Sequence, residues 1–176
     1  KIVKDDKPEA DRHPELHTLD EKLYNSPAMA LAVTMKAVAD GGRLAKLNFE
    51  RGCKVLAKYD PVLVAEINKD EDCIDQFTDN TDRFLIGLSK TVETEFDDRQ
   101  LDMLMQTVPN FERIGDYATN MVELAERLQS ESASFSETAK KELALITSAV
   151  NEILDITVNA FANDDNEAAK AIEPLE

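Results

Sequence analysis

"FERIGDYATNMVELAERL", residues 111–128, has the pattern of a helix that carries two acids on one face with a glycine between them. Its apolar residues recur every three or four positions, which is typical of an amphipathic helix. Glu112 and Asp116 are four residues apart, so their carboxylates lie one turn apart on the same side. Gly115 costs roughly 1 kcal/mol relative to alanine on an exposed helix. Either a neighbouring backbone approaches there, or a ligand of some kind binds there, or the glycine has no role.

A second acidic pair with the same spacing, Glu71 and Asp75, occurs in the segment EDCID. A short turn near residues 94–96 is predicted to join the two helices, which makes them antiparallel neighbours. At roughly 1.5 Å per residue, both pairs then lie about 30 Å from the turn and at one level. Four facing carboxylates, from Glu71, Asp75, Glu112 and Asp116, predict a site for a hard cation between the helices. The alternative is a pair of solvated acidic faces, because the chain has 36 acidic residues.

Helix starts before the first acidic pair are marked by Ser26–Pro27 and by Asp60–Pro61, each a capping residue followed by a proline in the first turn. The apolar spacing extends the first helix to about residue 58 and the second to about residue 93. On the second helix Glu71 falls on the apolar stripe, which predicts a core-facing position for it.

Capping boxes are predicted from Asp97 to Gln100 and from Ser134 to Glu137. They place a third helix over about residues 98–129 and a fourth over about residues 136–162, and a short helix is expected from Asp165. Pro109 lies inside the third helix and cannot donate an amide hydrogen bond, so a kink is predicted there.

A weak internal repeat relates positions 105 residues apart. It aligns the capping Asp60 with Asp165 and Glu71 with Glu176. The fold class predicted from these patterns is all-α, an antiparallel three-helix bundle followed by the start of a second helical repeat. The domain boundaries follow: 1–25 an N-terminal arm or linker, 26–130 the first three-helix repeat, and 131–176 an incomplete second repeat.

Charge and composition restrict the function. The formal net charge of −16 argues against nucleic-acid binding and against docking on anionic lipid, since both depend on an excess of lysine and arginine. Cys53 and Cys73 show no metal or redox spacing and are predicted to be reduced and buried. No apolar run approaches the length of a membrane span and no signal-peptide pattern opens the chain, so a cytoplasmic location is expected.

The sequence motifs that several kinds of catalysis need are missing from this chain. His13 and His17 are the only histidines and do not form a zinc-protease motif. A ferritin-like di-iron site is therefore not expected in the helices. Glycine-rich phosphate loops and nucleophile motifs are also absent, so a non-enzymatic protein is predicted.

The segment ERIGDYATNMVELAE resembles the signature of the PhoU family of phosphate-homeostasis regulators, and INKDEDCID fits the family less closely. The resemblance covers residues 27–176. It implies an all-helical fold of two three-helix repeats, in which acidic ExxxD motifs can hold metal ions such as Fe, Mn, Mg or Zn. By this resemblance the metal ligands are Glu71, Asp75, Glu112 and Asp116.

The approach to the first helix, LDEKLYNSPAMAL (residues 19–31), is similar to the junction after the last membrane helix of bacterial sodium/phosphate cotransporter-like proteins. This similarity implies a cytosolic regulatory domain at the inner face of the plasma membrane, with the transport domain of the same polypeptide as its partner. A homodimer is left open. The alternatives are a stand-alone PhoU-type phosphate-signalling regulator and a metal-free helical scaffold.

Overall fold

Five α-helices and two short 3-10 turns make up the part of the chain that this computed structural model describes, residues 12–172. The helices are α1 (Pro27–Ala57), α2 (Pro61–Leu88), α3 (Glu95–Ser130), α4 (Glu137–Asn163) and α5 (Asn166–Ala169). No strand occurs within residues 12–172. The predicted all-α fold is therefore confirmed. Glu176, the proposed start of a second acidic motif, lies outside the described residues.

The first two helices begin where the sequence predicts. Pro27 is the first residue of α1, although the side chain of Ser26 makes no capping hydrogen bond. Asp60 caps α2 by accepting hydrogen bonds from the first free amides, and Pro61 follows it. The proline costs nothing at this position because its missing amide would have no partner inside the helix.

The next two helices use different caps from those predicted. Thr94, and not Asp97, caps α3: its hydroxyl accepts from the Asp97 amide and donates to the Asp97 carboxylate at 2.7 Å. Ser136, and not Ser134, caps α4. Both true caps are hydroxyl residues: Thr94 lies three residues before the predicted Asp97, and Ser136 lies two residues after the predicted Ser134.

Helix α2 ends at Leu88, five residues before the predicted end. The Ser89 hydroxyl donates to the Ile86 carbonyl and the Thr91 hydroxyl donates to the Leu88 carbonyl, both at 2.9 Å. These side chains satisfy carbonyls that another turn of helix would have used. The connection between α2 and α3 is therefore residues 89–94.

Helix α3 continues through Pro109. Because proline has no amide hydrogen, the Met105 carbonyl has no helical partner at this point. The bend expected near this residue stays a prediction.

Helix α1 lies at the centre of the molecule and packs against α2, α3 and α4. The main core joins buried residues of the first three helices, including Val38, Ala45, Ile74, Leu85, Leu104 and Val108. Helix α4 is tied to α1 by Lys46, whose ammonium lies 2.6 Å from Asp155 and 2.7 Å from Glu50. The three-helix arrangement places α2 and α3 side by side, and their shared groove holds the acidic residues.

By length and composition alone, α4 could cross a membrane. Within residues 12–172 it is the one helix that meets this criterion. No membrane span was predicted from the sequence because polar and charged residues, Glu152 and Asp155 among them, interrupt the apolar residues of this helix. Only 17% of its most apolar 18-residue window is buried, and Leu145 is 73% exposed. A single helix of this kind is weak evidence for a membrane span, and α4 buries Leu154 and Val158 against the bundle.

The N-terminal arm packs on the bundle from residue 12 onwards. Leu16 is 3% exposed and joins the main core. The ring of Tyr24 packs on Phe84 at a centroid distance of 4.9 Å, and its hydroxyl donates to the Phe84 carbonyl. Two apolar anchors within a polar, proline-containing segment thus hold residues that the sequence predicted to be an arm or linker. The first eleven residues of that arm lie outside the described range.

Several glycines lie at close approaches between helices, and Gly52 and Gly115 differ in what they face. A Cβ atom at Gly52 would lie 3.0 Å from the Ala118 Cα, which is backbone of α3. A Cβ atom at Gly115 would lie 3.2 Å from the Ile74 Cδ1, which is the far end of a side chain on α2. Gly115 therefore faces a side chain of α2, and not the neighbouring backbone that was one of the explanations left open by the sequence.

Alanine at these two glycines should have opposite effects. Gly52→Ala should lower the free energy of unfolding by about 1–3 kcal/mol, because the backbone of α3 cannot move aside without repacking. Gly115→Ala should raise it by up to about 1 kcal/mol, because the Ile74 methyl can shift and alanine favours the helix. Urea unfolding of both variants measures the difference, and effects of the same sign and size would contradict it.

Candidate metal centre

An acidic cluster lies in the groove between α2 and α3 and consists of Glu71, Asp75 and Asp116. One carboxylate oxygen from each of the three lies within 4.8 Å of the others. Helix α2 supplies two of them from successive turns, and α3 supplies the third. Glu71 and Asp116 are half-buried, whereas Asp75 is exposed. This arrangement allows one cation to contact oxygen atoms from both helices.

Glu112 does not belong to this group of three. It stays close enough for the negative charges of Asp116 and Asp75 to act on its carboxylate. Of the four predicted ligands, the structure therefore brings three together and places the fourth beside them. Glu112 lies one turn before Asp116 on α3, so it extends the acidic groove.

The surroundings disfavour the ionised form of these carboxylates. Partial burial raises the pKa of Glu71 above its usual value, and the charge of Asp75 raises it further. The pKa of Asp75 is raised by burial in the groove and then by Asp116. Burial and Asp116 also raise the pKa of Glu112. Without a compensating cation, the cluster is a source of repulsion between α2 and α3.

The contribution of the cluster to stability should therefore fall as the pH rises. A carboxyl group whose folded pKa is raised holds its proton in the native state after the unfolded chain has released it. Its contribution is fully present below the usual pKa values, 4.5 for glutamate and 3.8 for aspartate, and is lost as the pH passes the raised folded values. Melting of wild type and Glu71→Gln/Asp116→Asn from pH 4 upward in chelator measures it. As the pH rises, the melting temperature of the variant should increase relative to that of wild type. A difference in melting temperature that does not change with pH would contradict the expectation.

A second network of charges lies one residue before the acidic cluster, around Asp70. The Asp70 side chain is 1% exposed, and the Arg51 guanidinium of α1 donates a hydrogen bond to one of its carboxylate oxygens. The other oxygen lies 3.2 Å from the His13 Nε2 and 3.4 Å from the Arg12 Nη2 of the N-terminal arm. A buried carboxylate is stable only with such partners, so Asp70 connects α1, α2 and the arm.

The core-facing position predicted for Glu71 was wrong by one residue: Asp70 is the buried acid and Glu71 is half-buried. Either residue fits the helical spacing, since Asp70 lies three residues after Ile67 and four before Ile74. The choice depended on which acid would find a cationic partner. The available signal that Asp70 is the buried acid was Arg51, a cationic residue that lies one turn after the buried Asn48 on α1.

Several cavities in the described residues lie away from the acidic cluster, and two of them are of similar size. One of about 380 Å³ lies between the arm and α2, and one of about 370 Å³ lies where the ends of α1 and α3 meet the start of α4. Neither is lined by Glu71, Asp75 or Asp116. An organic ligand normally occupies an enclosed pocket. The open acidic groove suits a small hydrated cation better.

A protein-family model described as the PhoU domain matches residues 38–125, half of the chain. The matched range runs from within α1 to near the end of α3, so it includes both acidic segments and leaves out α4. No curated protein and no solved structure matches the chain.

Proposed function

Because this chain belongs to the PhoU domain family, we propose that it acts as a regulatory module in phosphate uptake and homeostasis and catalyses no reaction itself. The observation that carries the proposal is the extent of the family match, which takes in most of the three packed helices and both acidic segments. A helical bundle with an open acidic groove is suited to binding and to transmitting a change in shape or charge.

The more specific proposal is that the chain is the cytosolic domain of a sodium/phosphate cotransporter-like protein. It is supported by the similarity of residues 19–31 to the junction that follows the last membrane helix of such transporters. The partner would be the transport domain of the same polypeptide, at the inner face of the plasma membrane, and homodimerisation stays open. A stand-alone phosphate-signalling regulator is the alternative. Transmembrane segments in the reading frame upstream of residue 1 would favour the first proposal, and their absence would favour the second.

The acidic cluster is proposed to hold a metal ion through Glu71, Asp75 and Asp116, with Glu112 as a further ligand after a change of rotamer. An all-carboxylate set suits hard cations such as Mg²⁺ and Mn²⁺, and iron, better than zinc, which prefers nitrogen and sulfur ligands. The support is geometric: three carboxylate oxygens within 4.8 Å of one another would repel without a cation between them.

The regulatory role can be tested by phosphate uptake in cells whose full-length gene carries Glu71→Gln/Asp116→Asn. The matched control is Asp98→Asn/Asp102→Asn, which removes two exposed acids with the same change of charge from α3. We expect the cluster variant to lose the adjustment of uptake between low and high phosphate, and the control to keep it. Normal adjustment in both variants would favour the metal-free scaffold.

A further inference from the structure

The cavity of about 370 Å³ where the ends of α1 and α3 meet the start of α4 has mostly apolar walls. Its most buried lining side chains are Val55 and Ala125. Four half-buried apolar side chains from α1, α3, the linker before α4 and α4 itself complete the walls: Leu56, Leu128, Phe135 and Leu143. Small organic ligands usually bind in apolar cavities of roughly 300–1,000 Å³ with a few polar groups. The size and the walls of this cavity therefore suit such a ligand.

The charge around this cavity is opposite to that of the whole chain. The formal net charge is −16, yet no aspartate or glutamate is among the described residues that line the cavity. The one charged side chain among them is Lys140, in the first turn of α4. Its ammonium pairs with Glu137 at 2.7 Å, which uses one of its three hydrogen-bond donors. The other donors are available to an anionic group at the rim, because the Lys140 side chain is 51% exposed.

The volume of the cavity limits the length of an apolar ligand. A water molecule takes about 30 Å³ of the liquid, so 370 Å³ corresponds to roughly 12 non-hydrogen atoms. Decanoate, a straight-chain carboxylate, has ten carbon atoms and two oxygen atoms. Cavities with apolar walls stay dry and take up apolar molecules. An alkyl chain of this length therefore matches both the volume and the walls.

We propose that this cavity binds a medium-chain fatty acid as its free carboxylate. The alkyl chain lies among Leu56, Leu128 and Leu143, and burying it there removes apolar surface from water. The carboxylate stays at the rim and accepts hydrogen bonds from the Lys140 ammonium, so it is not desolvated. None of the residues of the acidic cluster lines the cavity. The inference therefore goes beyond the regulatory role and the metal site and depends on neither.

A ligand in this cavity would stabilise the packing of α4. No residue of α4 before Leu154 is fully buried, and Leu145 and Ile146 are 73% and 60% exposed. The first three turns of α4 are thus weakly attached to the bundle. An alkyl chain that touches α1, α3 and α4 at once adds apolar contacts at this junction. Binding of the fatty acid is therefore expected to favour the docked position of α4.

Calorimetric titration of the full chain with decanoate, decan-1-ol and acetate, below the concentration at which decanoate forms micelles, tests the ligand class. Decanoate should bind in a one-to-one complex, and acetate should not bind measurably. Lys140→Gln should weaken decanoate binding about threefold, the size of an exposed ion pair, and should leave binding of decan-1-ol unchanged. The matched control is Lys141→Gln, which removes an exposed cation that does not line the cavity. It should change neither affinity.

Filling the cavity tests its position. Ala144 lines the cavity from the exposed surface of α4, so Ala144→Phe can place its ring in the space of the alkyl chain. This variant should bind decanoate about tenfold more weakly or worse. Ala149→Phe, at an exposed alanine of α4 outside the lining, should bind as wild type does. Circular dichroism shows whether both variants are folded.

Alkylation of the wild-type chain by iodoacetamide tests the position without a substitution. Cys53 is half-buried and lines the cavity, whereas Cys73 lies on α2 and does not line it. With decanoate at ten times its dissociation constant, alkylation of Cys53 should slow about tenfold, because the occupied chain is protected. Alkylation of Cys73, measured by mass spectrometry in the same sample, should not change.

Several results would overturn the inference. No saturable binding of decanoate by wild type, or no protection of Cys53 at saturation, would mean that the cavity is not the site. Equal affinities of folded Ala144→Phe and Ala149→Phe would mean the same. If Lys140→Gln binds decanoate as tightly as Lys141→Gln does, the carboxylate is not recognised and the ligand class is wrong.

Discussion

Replacing Arg51 with methionine should lower the free energy of unfolding by about 3 kcal/mol, at the lower end of what is lost when a buried ion pair is broken. The substitution leaves the Asp70 carboxylate, which is 1% exposed, without its partner on α1. Arg12 and His13 still face the other oxygen, which keeps the loss from being larger. Urea denaturation measures the change.

A matched control is Arg83→Met on α2. The Arg83 guanidinium is exposed and donates to the Asp79 carbonyl and to the Asn80 side chain. Its removal should change stability by about 0.5 kcal/mol or less, as for most surface substitutions. If Arg51→Met costs no more than Arg83→Met, Asp70 is not held as the structure shows.

A double-mutant cycle sharpens this test. Arg51→Met combined with Asp70→Asn should be less destabilising than the sum of the two single variants, because each single change leaves one charged partner unpaired. Additive effects would mean that the two side chains do not depend on each other.

Mn²⁺ should raise the melting temperature of wild type by about 5–10 °C when its concentration is 100 times the dissociation constant. At that ratio a ligand that binds only the folded state stabilises it by about 2.7 kcal/mol, and a chain of this length shifts by about 2–4 °C per kcal/mol. The physical reason is the repulsion among Glu71, Asp75 and Asp116, which a cation removes. Glu71→Gln/Asp116→Asn should gain little from Mn²⁺.

The same variant should behave in the opposite way without metal. At neutral pH in chelator it should melt above wild type, because the substitutions remove charges that partial burial and like-charged neighbours destabilise. Asp98→Asn/Asp102→Asn should follow wild type in both conditions, since both acids are exposed. If all three proteins respond equally to Mn²⁺, the cluster is a solvated acidic face.

Local signals predicted most of the helical framework. The Asp60–Pro61 start of α2 and the five-helix order follow from capping chemistry and apolar spacing, which act within a few residues of chain. The placement of Glu71, Asp75 and Asp116 at one level followed from the helical rise and an antiparallel pair. The helix ends were less accurate, because Ser89 and Thr94 compete with neighbouring residues for the same terminal amides and carbonyls.

By itself, then, the sequence determined the elements that depend on short-range chemistry: helices, caps and the levels of the acidic pairs. Only the tertiary structure decided that Asp70 is buried and Glu71 is half-buried, because that choice depends on Arg51, Arg12 and His13 arriving from other parts of the chain. Only the tertiary structure placed Leu16 in the core. A helical period allows several neighbouring residues to face inward, and the free energy of burying each one is set by partners that are distant in the sequence.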